Sequence, residues 1–245
     1  MTNLRDNAYE LKNGIKIRLI TEPHCGWCGK PVMPNYRKCF DCNIQPPRIK
    51  IFAAGIYLLE DKKDPESKIY HDNYPLNKEI WQLKKNSIKS AYSAAENLSE
   101  CMVYLINNLY QDLKDFDLIV AAPPSDMSRG FNQAALLAEN ISQRINIPFM
   151  DILYKKSPSL CQHDISYEKK EENVKDIYGS KERLDNINII IIDDICTTRN
   201  TMNNCAKALK RCGANDVKGF VVGRSTDVRN MRYIKQEEKY DIYQG

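Results

Sequence analysis

The chain has 245 residues and lacks any apolar run typical of a membrane-spanning helix. The longest apolar run of its first half, near residues 51–59, is far shorter than the roughly 20 residues that crossing a bilayer requires. Its first residues, MTNLRD, lack the apolar segment of a secretory signal. Internal repeats and low-complexity tracts are missing as well. These absences predict a cytoplasmic protein with no membrane insertion.

Histidine is scarce, and a strong net charge is missing. The three histidines, His24, His71 and His163, show no spacing typical of a catalytic base. With 36 Lys and Arg against 32 Asp and Glu, the net charge of +4 is too small to require a nucleic-acid partner. Hydrophobic residues make up 42% of the chain and charged residues 28%, which excludes disorder. The length suits one large domain, or a medium domain with a small module.

Cysteine, by contrast, is plentiful and patterned. Four of the nine cysteines form two C-x-x-C turns, Cys25 with Cys28 and Cys39 with Cys42. Four thiolates complete a closed tetrahedral zinc shell, whereas a cytosolic chain does not use cysteines as a disulfide framework. A redox C-x-x-C is the competing interpretation, but it leaves the second copy unexplained. We therefore predict structural Zn²⁺ in an N-terminal extension, residues 1–47, and call residues 25–42 the zinc knuckle.

The segment that begins with Ile189–Ile192 carries the clearest functional signal. Four consecutive isoleucines are typical of a strand buried on both faces of a parallel sheet, and we expect the strand to end there. Asp193 and Asp194 follow, and their carboxylates can accept hydrogen bonds from ribose hydroxyls and help to hold Mg²⁺. Hydroxyls and helix-start N–H groups can then bind a 5′-phosphate. The hydroxyl-bearing residues are Thr197, Thr198 and Thr201.

An aspartate after a buried strand is often only a turn or helix cap, but that explanation does not account for the whole order of residues. The segment resembles the PRPP-binding loop of type I phosphoribosyltransferases: a hydrophobic run, Asp-Asp, two residues, then Thr-Thr-Gly-x-Thr. Arg199 stands where that family has glycine. A side chain at this position obstructs close approach of the backbone to a phosphate, whereas a guanidinium can itself bind phosphate oxygens. The sequence leaves both outcomes open.

The hydrophobic pattern predicts an α/β domain over residues 48–225. Strands are expected at residues 51–59, 117–122, 189–192 and 217–222. A helix with apolar residues three or four apart joins the last two strands and ends at Gly213, which completes a βαβ unit. Because ligands of parallel sheets bind at the carboxyl ends of the strands, Pro123–Ser125 and residues 193–201 should meet at one edge. Residues 226–245 are predicted to be a polar tail.

Further motifs resemble one branch of that family, the ComF-type phosphoribosyltransferases, known as DNA-uptake competence proteins and their relatives. The branch joins a four-cysteine zinc knuckle to a phosphoribosyltransferase domain, and its Arg-Gly-Phe-Asn-Gln motif stands whole at Arg129–Gln133. Leu83-Lys84 resembles its Leu-Lys-Tyr helix. A supportive order of motif residues follows at Gln162, Ile165-Ser166, Lys170 and Asn173-Val174. The resemblance implies an α/β, type I phosphoribosyltransferase-like fold: a mainly parallel sheet flanked by helices, with a small N-terminal zinc knuckle.

The same resemblance implies transfer of a 5-phosphoribosyl group from PRPP to an acceptor, with release of pyrophosphate. Asp193 and Asp194 would be the catalytic pair, holding the ribose hydroxyls and Mg²⁺. Pro124, Ser125 and Arg129 would approach the pyrophosphate, although an arginine beside a helix start is about as often simply solvated. The 5′-phosphate would be bound by Thr197, Thr198, Arg199, Asn200 and Thr201.

Two non-enzymatic interpretations remain. Residues 1–50 hold nine basic and four acidic residues, a charge of +5 that four zinc-bound thiolates would lower to about +3. This basic section and Arg199 favour an adaptor that binds single-stranded DNA or DNA-uptake proteins, with a regulatory or vestigial PRPP pocket. A zinc-stapled scaffold without either activity is the other interpretation. The sequence leaves the acceptor and the oligomeric state open.

Overall fold

A computed structural model describes residues 8–20, 23–33, 35–85, 87–125, 130–156 and 177–227. The predictions for Arg129, for the motif from Gln162 to Val174 and for the tail beyond residue 227 lie outside these ranges. In chain order the strands are β1 (Ala8–Glu10), β2 (Lys16–Arg18), β3 (Ile51–Leu59), β4 (Leu118–Ala121), β5 (Leu153–Lys155), β6 (Tyr178–Ser180), β7 (Ile189–Cys196) and β8 (Val217–Asp227). The α-helices are α1 (Phe40–Ile44), α2 (Pro65–Asn73), α3 (Pro75–Lys84), α4 (Ile88–Asn108), α5 (Gln133–Ile145) and α6 (Asn200–Arg211).

Four parallel strands form the central sheet in the order β3-β8-β7-β4. Strand β7 lies inside the sheet, and the run Ile189–Ile192 has no exposed surface. Helices α5 and α6 pack against β7, while α3 and α4 pack against β3. The isoleucines therefore occupy the environment that a continuous β-branched run favours. The predicted α/β architecture, a parallel sheet flanked by helices, is confirmed.

Strand β7 is longer than the sequence predicts. We expected it to end at Ile192, but it continues through Asp193 and Asp194 to Cys196. The reason is its neighbour β8, which pairs with β7 as far as Arg224 opposite Cys196. Strand β8 is longer as well, since it continues through Asp227 into the region predicted as tail. The acidic pair is therefore held by sheet hydrogen bonds, not by a loose turn.

The predicted βαβ unit is present, with α6 between the parallel strands β7 and β8. Its buried face consists of Met202, Cys205, Ala206, Ala208 and Leu209. Gly213 follows the helix with φ of 107°, and a Cβ atom there would lie 2.0 Å from the Leu184 carbonyl oxygen. Only glycine fits this turn, so the stop that the sequence predicts at Gly213 has both a conformational and a steric cause.

The N-terminal segments are attached to the domain by backbone hydrogen bonds. Leu19 forms an antiparallel bridge with Gly55 of β3, and Ile20 N donates to the Ala54 carbonyl at 3.0 Å. The zinc knuckle joins the start of the same strand, because Ile51 N donates to the Trp27 carbonyl at 2.8 Å. Both segments therefore lie along the edge strand β3. None of the helices in the described ranges has the length and apolar character needed to span a membrane.

Candidate functional site

The four cysteines of the predicted knuckle come together. Cys25, Cys28, Cys39 and Cys42 are buried, and their sulfur atoms all lie within 4.8 Å of one another. The Sγ atoms of Cys28 and Cys39 are 3.7 Å apart. Four Zn–S bonds of about 2.3 Å in a tetrahedron place the sulfurs about 3.8 Å apart, so the donor set fits a closed zinc site. The cluster is the candidate metal centre of the molecule.

The acidic pair lies where β7 loses one of its two neighbours. Strand β4 ends at Ala121, opposite Ile192, and among the described strands only β8 continues beside Asp193. Asp193 Oδ1 accepts a hydrogen bond from Asp194 N at 2.9 Å, and Asp194 Oδ1 accepts one from Ile195 N at 2.6 Å. The end of β4 thus leaves β7 with a single strand neighbour at the acidic pair, whose two side chains point to opposite faces of the sheet.

The two carboxylates are electrostatically unequal. Burial is the largest cause that raises the pKa of Asp193 well above its ordinary value, and the neighbouring Asp194 charge raises it further. Asp194 has a counter-ion, because Lys84 Nζ lies 2.9 Å from its Oδ2 atom. Lys84 is the last residue of α3, so the Leu83-Lys84 motif reaches the site although sequence reasoning gave it no role. Its resemblance to the branch motif was the only available signal.

The predicted phosphate loop, residues 197–201, follows β7 directly. Thr197 and Thr198 are exposed, and α6 begins at Asn200 without a side chain capping its N-terminus. Uncapped N–H groups of a helix start favour an anion. Arg199 has φ of 67° and ψ of −3°, which is the left-handed conformation that glycine adopts most easily. The backbone at residue 199 therefore keeps the conformation that the family's glycine would permit.

The Arg199 side chain extends towards the zinc knuckle. Its Nη1 atom donates to Cys42 Sγ at 2.9 Å and to the Gln45 carbonyl at 3.0 Å. In this conformation the guanidinium contacts a candidate metal ligand, while the backbone of residue 199 contributes to the loop. The backbone and the side chain of one residue thus serve two parts of the molecule.

Arg224 is a buried residue of the site that sequence reasoning missed. Only 1% of its surface is exposed, and it lies on β8 opposite Cys196. Its guanidinium donates to the Cys196 and Thr197 carbonyls on one side and to the Cys28 carbonyl on the other. Its Nη2 atom also lies 3.7 Å from Cys28 Sγ. The partners of Nε and Nη2 are 196 positions away in the chain, so no local pattern could have revealed them.

The Pro123–Ser125 segment reaches the edge that the sequence predicts. Ala122 N donates to the Ile192 carbonyl at 2.9 Å, which places this segment beside the acidic pair. Asn132 holds it there, since its Nδ2 atom donates to the Ala122 carbonyl at 3.0 Å while its Oδ1 accepts from Ala134 N and caps α5. Pro124 is partly buried and Ser125 is exposed. Arg129 lies outside the described residues.

Two further side chains border the loop. Burial is the main cause that raises the pKa of the Cys196 thiol, which makes the thiolate needed for a nucleophile less accessible. Burial also raises the pKa of the Tyr178 hydroxyl, while the nearby Thr201 side chain acts in the opposite direction. Tyr178 on strand β6 therefore lies close to one of the predicted phosphate-binding hydroxyls.

Large apolar side chains are exposed on and beside the zinc knuckle. Phe40 is 78% exposed and Tyr36 is 61% exposed, and two basic residues stand between them in the sequence. Lys38 Nζ lies 5.8 Å from the centre of the Trp27 ring, which is itself 39% exposed. We call this surface the knuckle patch; it comprises Trp27, Met33, Tyr36, Phe40 and Ile44.

The sequence is similar to proteins named for competence and DNA utilization, although no family model matches it. Competence protein F of Haemophilus influenzae is 23% identical over 233 residues, covering 90% of this chain and 95% of that protein. Competence protein ComFC of Bacillus subtilis is 28% identical over 224 residues, covering 86% and 81%. DNA utilization protein YhgH of Escherichia coli K12 is 25% identical over 205 residues, covering 82% and 84%. These homologues confirm the resemblance to the ComF-type branch.

Solved structures show more distant likenesses. The glutamine PRPP amidotransferase of B. subtilis has a TM-score of 0.38 and 16% identity, covering 53% of this chain and 26% of that one. The purine phosphoribosyltransferase of Pyrococcus horikoshii has a TM-score of 0.34 and 13% identity, covering 53% and 87%.

Proposed function

We propose that this protein binds Mg²⁺–PRPP at the carboxyl edge of its sheet and transfers the 5-phosphoribosyl group to an acceptor. The observation that carries the proposal is the arrangement at the end of β7. A partly buried acidic pair is followed there by an uncapped helix start, with exposed threonines between them. Since homologues are named for competence and DNA utilization, we propose that the reaction serves the handling of DNA in the cytoplasm.

The acidic pair suits a magnesium-bound sugar phosphate. Mg²⁺ prefers oxygen ligands and is usually held by one or two carboxylates together with phosphates of the substrate. Asp193 and Asp194 supply such oxygens. Lys84 offsets part of the repulsion between the two carboxylates, because its Nζ atom lies 2.9 Å from Asp194 Oδ2. When bound, Mg²⁺ neutralises charge on the pyrophosphate. Burial and the Asp194 charge raise the pKa of Asp193, and a magnesium ion held by the pair would favour its ionised form.

The remaining groups position the substrate. The N–H groups at the start of α6, with the hydroxyls of Thr197, Thr198 and Thr201, would bind the 5′-phosphate. Ser125 would contact the pyrophosphate, which leaves with the electron pair of the broken C1–O bond. A lone pair of the acceptor forms the new bond to C1. The protein performs no covalent step itself and acts through orientation and charge stabilisation.

Calorimetry with Mg²⁺ and PRPP tests this function. The double variant Asp193→Asn with Asp194→Asn should bind PRPP at least about 100-fold more weakly, because two charged acceptors are lost. The exposed aspartates Asp115 and Asp185 offer a matched control, in which the same two charges are removed elsewhere. Equal affinity of the site variant and the wild type would refute the assignment. With binding established, pyrophosphate release with a panel of bases and amines identifies the acceptor.

The knuckle patch favours a second function, the binding of single-stranded DNA. Aromatic side chains on a positively charged surface stack with bases and attract the phosphate backbone. Tyr36 and Phe40 are exposed, and the exposed residues Arg37 and Lys38 lie between them in the sequence. The protein would then be an adaptor that uses its zinc knuckle to contact DNA while the PRPP pocket regulates it.

Fluorescence anisotropy with a labelled single-stranded oligonucleotide tests the adaptor function. Phe40→Ala should weaken binding about tenfold, since one stacked base contributes roughly 1–3 kcal/mol. Affinity should also fall steeply between about 50 and 200 mM salt. Tyr92, which is 54% exposed on α4 far along the chain from the patch, provides the control Tyr92→Ala. No binding at low salt, or equal losses in both variants, would exclude the patch.

A further inference from the structure

Two arginines connect the zinc knuckle to the predicted phosphate loop. Arg199 belongs to the loop, and its guanidinium contacts Cys42 Sγ at 2.9 Å and the Gln45 carbonyl at 3.0 Å. Arg224 belongs to β8, and it donates to the Cys28 carbonyl at 3.1 Å and the Thr197 carbonyl at 2.8 Å. Each arginine therefore touches both the segment that carries the cysteines and the segment that carries the threonines.

The charge of the four-cysteine cluster complements the charge of the two arginines. Four thiolates around Zn²⁺ have a net charge of about −2, and two guanidinium groups lie at two of the four sulfurs. Arg224 is 1% exposed, and a buried cation requires a nearby negative charge. None of the ion pairs among the described residues includes Arg224, so thiolates bound to a metal would supply the charge that keeps it in place.

The contacts also bear on the shape of the loop. Arg199 holds φ of 67°, which is costly for a residue with a side chain and persists only where the surroundings support it. The bonds of its guanidinium to Cys42 and Gln45 are such support. The hydrogen bonds from Arg224 to the Cys196 and Thr197 carbonyls fix the backbone at the point where the loop begins. The backbone just before β3 adds one further contact, because Arg48 N donates to Asn203 Oδ1 of α6 at 2.9 Å.

We propose that the four-cysteine metal centre holds the 197–201 loop in its anion-binding conformation, with Arg199 and Arg224 as the positioning residues. The metal thus has a role beyond stabilising the knuckle, and loss of the metal releases the loop. The effect on PRPP rests on the function proposed above, whereas the effect on the loop itself does not. Because coupling between two sites is reciprocal, PRPP bound at the loop also slows the release of zinc.

Zinc release into an excess of a colorimetric chelator tests the link to Arg199. Arg199→Gly is the informative variant, since glycine permits the left-handed backbone and removes the side chain that carries the guanidinium. Partners that hydrogen-bond to metal ligands typically change metal affinity 10–100-fold, so release should be about tenfold faster. Arg199→Lys, which keeps the charge but not the planar fork, should lie between. Arg211→Ala, which removes an exposed arginine at the end of the same helix, should release zinc at the wild-type rate.

Hydrogen exchange of the zinc-bound and zinc-depleted wild-type protein tests the effect on the loop. Peptides that cover residues 197–201 should exchange faster after zinc is removed, while those of β4 should not change. In Arg199→Gly the loop should already exchange fast with zinc bound. Loop exchange that is independent of zinc, or a normal zinc-release rate in Arg199→Gly, overturns the proposal.

A third measurement separates this inference from the proposed function. Zinc release from the wild type is followed with and without PRPP and Mg²⁺, and we expect PRPP to slow it several-fold. A wild type that binds no PRPP refutes the proposed function, while the exchange experiment still decides the metal–loop link. PRPP that binds without changing zinc release, with loop exchange also unchanged by zinc, refutes the link alone.

Discussion

The zinc knuckle and the carboxyl edge of the sheet are both irregular, yet they are ordered by different means. The knuckle contains one short helix, and its core consists of the four cysteines with Val32 packed against them. The carboxyl edge follows a strand whose four isoleucines have no exposed surface. The sheet therefore holds the acidic pair, whereas we expect the knuckle to depend on a metal. Arg199 and Arg224 connect the two regions.

Removal of the metal should have the largest effect and tests the comparison most directly. Structural zinc contributes on the order of 10 kcal/mol or more to folding of small zinc modules, so chelation should unfold the knuckle and leave the sheet folded. The chain has two tryptophans, and Trp81→Phe leaves Trp27 of the knuckle as the single reporter. Its fluorescence should change on chelation while the far-ultraviolet circular dichroism is largely retained. Loss of both signals together would mean that the two regions fold as one unit.

Replacement of Arg224 should have the next largest effect, because it removes the buried contact between the regions. Arg224→Leu leaves the Cys28, Cys196 and Thr197 carbonyls without their shared donor. We expect a loss of about 3 kcal/mol in the free energy of unfolding, measured in urea on the zinc-bound protein. Arg224→Lys should lose less, because it retains the charge.

A matched surface substitution calibrates this value. Arg183→Ala removes an exposed arginine and should change the stability by less than about 0.5 kcal/mol. An Arg224→Leu protein as stable as that control would show that the buried guanidinium contributes nothing to the junction.

The two regions also differ in how far their sequence predicts them. The cysteine spacing predicts the four-cysteine cluster, and the isoleucine run together with Gly213 predicts the βαβ unit. Both features can be predicted because each pattern involves residues close together in the chain. The extension of β7 to Cys196 was not predicted, since it depends on pairing with β8. The contacts of Lys84 with Asp194 and of Arg224 with Cys28 join residues far apart in the chain. Such contacts leave no periodic pattern, so only the fold reveals them.

Arg199 shows the same limit within a single residue. From the sequence, its side chain either obstructs a phosphate or binds one. In the structure its backbone adopts the conformation that glycine favours, and its guanidinium bonds to the knuckle. Neither alternative includes this arrangement, because the nearness of residues 42 and 199 is a property of the fold.

The smallest expected effect concerns Asp193. It tests whether the acidic pair lowers the stability of the ligand-free protein, as no group of the knuckle is expected to do. Burial, and then the Asp194 charge, raise the pKa of Asp193, so the folded protein binds this proton more tightly than the unfolded chain. The stability that protonation contributes is complete below about pH 4, the range of an unfolded aspartate, and is lost as the pH rises through the folded pKa. Asp193→Asn resembles the protonated acid. Without Mg²⁺ and PRPP it should therefore raise Tm by a few degrees at pH 8.

That gain should shrink towards pH 4, and Asp185→Asn, at an exposed position, should show neither effect. A destabilised Asp193→Asn at pH 8 would mean that the ionised carboxylate supports the fold. The predicted gain would mean that the two adjacent carboxylates lower the stability of the ligand-free protein. This is expected of a site whose ligand brings a cation that neutralises them. Such a cost is expected of a region that binds a ligand, and we do not expect it of the knuckle, where a bound metal and two arginines would match the four thiolates.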